Sequence, residues 1–436
     1  MAVGSLHGRT LYEKRNPLNI RIGIASLTAI VGAIAMWNAS PAGADPVVAQ
    51  AAPAASPAPS PSPSPSPPPH LLQVSGFADA GYTSASEASA VSPTSSSVIN
   101  GRVFDTLNNQ IQFHNFNLQA AYNGPIGGKI EASFGDDANV INSYPKNTFA
   151  PGTEIDITQA YVQGISGQFT GIVGKFETLA GAEVIESPSD LEFSRSILFG
   201  YAVPFTHTGG RLTWAMNGNL SFIAGLNRGW DTTGTESHSP FAYVDTSSLT
   251  VEGGAAWNPS KAFSWTLQGY TGQVEEGSAV AFPTFPVNYT PLAPGRPNRS
   301  LVDTVLTLHA TPAITLTLNG DAGQQTNSVV FNGTGMPFGY GTGTWSGVAG
   351  YANYAINSVW SATIRAEYFG DFGGLRTGIS QRWAESTATL QYAPNSNVIV
   401  RGEIRGDKSN QLYFAGANGF YYTNSQFGIE TIVKWP

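Results

Sequence analysis

The sequence has no cysteine among its 436 residues. Disulfide staples, cysteine-held metals and thiol nucleophiles are therefore excluded. Charge is scarce too: Asp, Glu, Lys and Arg together make up 11%, where soluble domains average about 25%. Cations are the scarcer kind, 21 against 29 acidic residues, and histidine is reduced to 6 scattered positions. Beyond residue 37 no apolar run approaches the roughly 20 residues that a membrane-crossing helix needs. No G-x-S-x-G, H-E-x-x-H, Walker or dinucleotide-binding fingerprint occurs. No cofactor and no metal are expected, and the shortage of cations argues against nucleic acid as a partner.

What the chain does have begins with a leader. Arg9, Lys14, Arg15 and Arg21 precede the apolar stretch Ile22–Trp37, and Ala42-Gly43-Ala44 forms a small-residue cleavage site. Residues 1–44 are thus expected to be a cleavable export signal. Without its four basic residues and Glu13, 17 basic and 28 acidic residues remain, a net charge of −11. Residues 45–70, rich in Pro, Ser and Ala, read as an extended and solvated tether, because proline fixes φ and removes backbone donors.

The remainder, 71–436, has a period of two. In VIVRGEIRGD (398–407), Val398, Val400, Gly402, Ile404 and Gly406 alternate with Arg401, Glu403, Arg405 and Asp407. KIEASF (129–134), AITLTLNGD (313–321), WSATIRAEYFGD (360–371) and FGIETIVKW (427–435) repeat the pattern. Each is about 10 residues long, the length of a tilted strand crossing a bilayer. Sixteen such strands are predicted, near 72–83, 109–123, 127–136, 153–165, 168–176, 207–216, 219–228, 248–257, 262–274, 300–310, 313–325, 345–356, 358–371, 384–393, 397–408 and 424–435.

Every second connection is tight and built of turn residues, as at NGPI (123–126), NG (217–218), NPSK (258–261) and PNS (394–396). The intervening connections are expected to run to a dozen residues or more. That alternation predicts an all-β fold: a closed antiparallel transmembrane β-barrel of about 16 strands, with short periplasmic turns and long extracellular loops. Closure removes the exposed edges. Tyr82, Tyr122, Phe134, Trp214, Trp257, Phe263, Tyr354, Trp360, Tyr368, Tyr392 and Trp435 fall near strand ends, where interfacial girdles sit.

By alternation, Lys129, Glu131, Arg365, Glu367, Arg401, Glu403, Arg405 and Asp407 face the barrel interior. There they line water and pair with one another, so that neither sign is desolvated. The longest connection, 177–206, has apolar anchors at Ile197, Leu198, Phe199 and Phe205, which cannot all face solvent. It is expected to fold inward as a constriction loop bearing Glu183, Glu186, Asp190, Glu192 and Arg195. Its excess of carboxylates predicts a mild preference for cations. GYGTGTW (339–345) reads as a flexible loop tip, and GDDAN (135–139) as an acidic loop start.

Around that connection lie Gly174-Lys175-Phe176, Gly181 with Glu183, Phe193-Ser194 with Ser196, and Pro204-Phe205 with His207-Thr208-Gly209. This stretch resembles the OmpL-like family of outer-membrane β-barrel porins. Asp190 and Arg195 stand where that family favours Asn and His. The resemblance implies a pore-forming barrel and no catalytic residues.

The expected function is passive diffusion of small hydrophilic solutes or ions through the outer membrane of a Gram-negative cell. Membrane lipid, the barrel-assembly machinery and a homo-oligomeric state are the partners such a role entails. A surface-binding barrel without an open pore is the alternative. A barrel hydrolase using His207, flanked by Thr206 and Thr208, is a further one.

Overall fold

The computed structural model describes residues 72–90, 97–141, 154–231, 249–273 and 297–435. The expected leader and tether lie outside the described residues. Sixteen strands close into one antiparallel barrel. In chain order they are β1 (Leu72–Ala85), β2 (Gln110–Tyr122), β3 (Ile126–Phe134), β4 (Ile155–Ser166), β5 (Phe169–Glu177), β6 (Thr206–Ala215), β7 (Leu220–Asn227) and β8 (Thr250–Ser260). The second half comprises β9 (Phe263–Gln273), β10 (Asn298–Thr311), β11 (Ile314–Phe331), β12 (Pro337–Ala355), β13 (Trp360–Asp371), β14 (Gln381–Asn395), β15 (Val398–Ser409) and β16 (Thr423–Trp435). Each strand pairs with its neighbours in sequence, and β16 closes on β1, with Gly76 opposite Trp435 and Gly81 opposite Glu430. All sixteen predicted segments overlap these strands.

The period-two pattern sorts side chains onto two faces. Ile364 and Ile404 are 61% and 62% exposed, while their neighbours Arg365 and Arg405 are 0% and 4% exposed. The outward set is an apolar band for hydrocarbon, and the inward set is polar. Register carries the sorting from strand to strand: Arg401 lies opposite Glu430, and Ile404 opposite Phe427. At the tight-turn end the outward face ends in aromatic pairs, Trp360 with Tyr392 at 4.7 Å and Phe169 with Trp214 at 6.2 Å.

The tight turns follow from local chemistry. Asn217 Oδ1 accepts from the N–H groups of Asn219 and Leu220 at 2.9 and 3.0 Å. Asn357 does the same for Val359 and Trp360, and Asn395 for Asn397 and Val398. A short side-chain acceptor placed first in the turn satisfies two donors that the ladder leaves free.

Three expectations fail here. Residues 339–345 are not a flexible tip: they belong to β12, with Ser328 opposite Gly341 and Val329 opposite Tyr340. The β-branched pair Val329-Val330 supplies the partner edge that the glycine-rich segment alone does not announce. Strand extension also shortens the β11–β12 connection to 332–336 and leaves 372–380 between β13 and β14, so two of the outer connections are shorter than predicted. Finally, Asp136–Ile141 is a helical turn, α1, rather than an acidic loop opening. Its two acidic residues sit in the first turn, where they complement the helix dipole.

Candidate functional site

Residues 178–205, between β5 and β6, lie inside the barrel. The N–H of Thr178 donates to the carbonyl of Phe205 at 3.0 Å, closing the base of the loop. Gly181, at φ +95°, turns the chain inward in a conformation that a side chain would disfavour. The loop then crosses to the opposite wall and docks on β13 and β15.

The docking is made largely by main-chain atoms reading charged side chains. Glu403 accepts from the N–H of Phe193 at 2.9 Å and of Ser194 at 3.2 Å. Glu367 accepts from Ile197 and Leu198 at 2.7 and 3.2 Å. Arg401 donates to the carbonyls of Ser187, Asp190 and Glu192, and pairs with Glu430 at 2.8 Å. Arg365 reaches the Ser194 carbonyl at 2.7 Å and its hydroxyl at 3.1 Å, and Arg405 reaches the carbonyl of Arg195 at 2.8 Å. A loop has no ladder of its own, so its buried N–H and C=O groups need such partners.

Glu183 ties this network together. It accepts from the Ser196 N–H at 2.8 Å, the Tyr351 hydroxyl at 3.0 Å and Arg365 at 2.9 Å. Glu192 pairs with Arg365 at 2.9 Å. Asp190 and Arg195 pair with each other at 2.9 Å, and Asp190 also accepts from the Val184 N–H at 2.9 Å. Burial pushes the Asp190 carboxyl up to about 7 against the pull of Arg195. Burial, with Glu131 close by, lifts Glu186 to about 7 as well.

The apolar anchors pack on the same wall. Ile197, Leu198, Phe199 and Phe205 are buried in one cluster with Trp345, Ala349, Phe369 and Phe104. The Trp345 indole donates to the Ala202 carbonyl at 3.1 Å. The expectation that the interior charged row simply lines water is therefore corrected for β13 and β15. The row does turn inward, but Arg365, Glu367, Arg401, Glu403, Arg405 and Asp407 are covered by the loop and nearly fully buried. Alternation along a strand specifies the face and says nothing of what stands opposite.

The family-like stretch divides in two. Gly181, Glu183, Ser194 and Ser196 hold the loop, the last by accepting from the Phe199 N–H at 3.0 Å. Gly174, Lys175, Phe176, Pro204, His207 and Gly209 shape its root. A Cβ on Gly174 would lie 2.1 Å from the Ala160 carbonyl oxygen, and one on Gly209 2.3 Å from that of Leu226. Lys175 pairs with Asp156 at 3.0 Å, and Arg211 lies over the Phe176 ring at 4.3 Å. The buried His207 ring stacks on Tyr270 at 4.8 Å and 10°, which makes it a packing element at the loop root.

Beneath the loop, toward the tight turns, is a cavity of about 600 Å³. Lys129, Arg211 and Lys434 line it together with Glu177, Glu183 and Glu186, so cations and carboxylates balance there. Lys129 lies 2.6 Å from Glu131 and 3.9 Å from Glu186. Oxygens of Glu131, Glu177 and Glu186 lie within 4.8 Å of one another, with the Lys129 ammonium beside the first and last of them. Tyr351, Glu385 and Arg211 are site residues that the sequence reading did not single out, and Glu430 and Lys434, on the polar face of 427–435, were not assigned to the site. All five sit inside predicted strands, at positions that alternation turns inward.

Similar folds occur among solved outer-membrane proteins. The channel DcaP of Acinetobacter baumannii superposes with a TM-score of 0.55 at 12% identity, covering 84% of this chain and 97% of that one. An anion-selective porin from Comamonas acidovorans gives 0.55 at 7% identity, covering 84% and 99%. The trimer form of OmpT from Vibrio cholerae gives 0.52 at 11%, covering 84% and 99%. No curated protein matches the sequence. The profile of the family described as "Putative beta-barrel porin-2, OmpL-like" matches residues 71–435, and the chain belongs to this family of outer-membrane porins.

Proposed function

We propose that the barrel passes small hydrophilic solutes or ions by diffusion, with the 178–205 loop as its constriction and without catalysis. The carrying observation is the loop's attachment across the interior: it leaves β5, docks on β13 and β15, and leaves a charge-lined cavity below. In this reading the termini and tight turns face the periplasm and the longer connections face outward. The chain arrives through its leader and the barrel-assembly machinery, and a homo-oligomer fits the trimer form known for OmpT. Because the loop carboxylates are engaged by Arg365, Arg195 and main-chain donors, and the cavity charges balance, ion selectivity is weak rather than strongly cationic.

A binding barrel without an open pore is favoured by one observation, the apolar packing of Ile197–Phe199 and Phe205 inside the wall. Liposome swelling with sugars of graded size separates the two readings. A size-dependent swelling rate supports diffusion, and liposomes that do not swell even with the smallest sugar overturn it.

A further inference from the structure

Among the described strand residues, the exposed charged side chains are Arg382 of β14 and Lys408 of β15. Both belong to the outward set: Arg382 lies between buried Gln381 and Trp383, and Lys408 between buried Asp407 and Ser409. Both also stand at the strand ends remote from the tight turns. Ala384 is opposite Lys408, which places Arg382 on the diagonal, a neighbour separation of about 7–8 Å in an antiparallel pair. The Arg382 backbone is pinned to Asn410 by two hydrogen bonds, of 2.6 and 3.0 Å. Its guanidinium lies over the Phe372 ring at 5.9 Å.

No carboxylate neutralises this pair among the described residues. The acidic neighbours on the same strands, Glu385 and Asp407, point inward and are held by Arg365 and Arg405. The charge is therefore directed at the membrane. A cation on a lipid-facing strand costs about 2–4 kcal/mol at the bilayer midplane and little near the interface. At the strand ends two of the chain's few cations can face lipid at little cost.

The surface below the pair is apolar and shallow. Ser386 is flanked by Ala366 on one side and Gly406 on the other, with Ala388 and Ile404 one row down. A hydroxyl is available at Thr423, opposite Lys408. Two cations that can close on a tetrahedral anion from both sides, a hydroxyl beside them and a shallow apolar face beneath match a phosphorylated headgroup carrying acyl chains.

We propose that Arg382 and Lys408 form a docking site for the phosphate of a phosphorylated glycolipid in the outer leaflet. Its acyl chains run down the face formed by β13, β14 and β15. The assignment rests on the orientation proposed above, with the longer connections outward. Basic pairs at a membrane surface recognise anionic headgroups by such charge complementarity.

The test is native mass spectrometry of the purified barrel in detergent with three lipids: diphosphoryl lipid A, dephosphorylated lipid A and phosphatidylglycerol. The wild type is expected to retain the diphosphoryl form about tenfold better than either of the others. Arg382→Gln with Lys408→Gln should erase that preference, while each barrel keeps its heat-modifiable gel shift and its sugar permeation. Equal retention of phosphatidylglycerol, or a preference that survives the double substitution, overturns the proposal. Lost permeation with an intact lipid preference would instead count against the diffusion reading alone.

Discussion

Replacing Arg365 by Ala should release the inner loop without opening the barrel. The guanidinium makes three hydrogen bonds to the loop, to Glu183 at 2.9 Å and to the carbonyl and hydroxyl of Ser194 at 2.7 and 3.1 Å. It also neutralises Glu192 at 2.9 Å and Glu385 at 3.1 Å. Truncation leaves those carboxylates facing one another in a buried site, and deleting one partner of a buried ion pair costs about 3–5 kcal/mol.

The ladder does not depend on this side chain, since the strand positions Tyr351 and Thr387 still flank position 365. The cost therefore falls on the docked loop. At 1.4 kcal/mol per decade, the docked-to-released ratio drops by roughly two to four orders of magnitude. Single-channel conductance in planar bilayers should rise, and trypsin should cut after Arg195, which is buried in the wild type. Arg365→Lys should give an intermediate phenotype, because an ammonium keeps the charge and loses the planar fork. A heat-modifiable Arg365→Ala barrel with wild-type conductance and an uncut Arg195 would refute the reasoning.

Acid should tighten the same loop. Glu186 and Asp190 have carboxyls lifted by burial to about 7 from ordinary values of 4.5 and 3.8. The docked loop binds these protons more firmly than the released loop, so their contribution to docking is full below about pH 4 and is lost as pH rises through 7. Conductance should accordingly climb between about pH 5 and 8, and Glu186→Gln with Asp190→Asn should flatten that profile. Gly174→Ala, at φ +141° and with its Cβ 2.1 Å from a carbonyl oxygen, should destabilise the barrel by on the order of 3 kcal/mol. Gly402→Ala, with nothing within 4 Å, should leave the urea midpoint of the gel-shift transition unchanged. Asn217→Ala removes the acceptor for two turn donors and should cost about 1 kcal/mol in the same assay.

The strand plan was legible because it is local. Alternation in 398–407 and the acceptor at Asn217 act over a few residues, and both survive into the structure unchanged. Even the inward turn of 178–205 could be inferred, from apolar anchors that had to be covered. What it docks on could not. The Glu183–Tyr351 contact joins positions 168 residues apart, and no pattern within either segment names the other. The charged row of β15 was placed on the correct face and given the wrong neighbour, since carboxylates beside guanidinium groups look the same in sequence whether water or a loop backbone satisfies them. Residues 339–345 were misread for a related reason: glycines lower the intrinsic strand signal, and the partner Ser328–Phe331 restores it only in three dimensions.

The seam between β1 and β16 has a consequence for biogenesis. Its register, Gly76 with Trp435 and Tyr82 with Ile429, couples the two extremes of the described chain. A barrel lacking β16 would present two open edges, β1 and β15, to the bilayer. The strand farthest along the described chain is thereby the one that seals the cylinder.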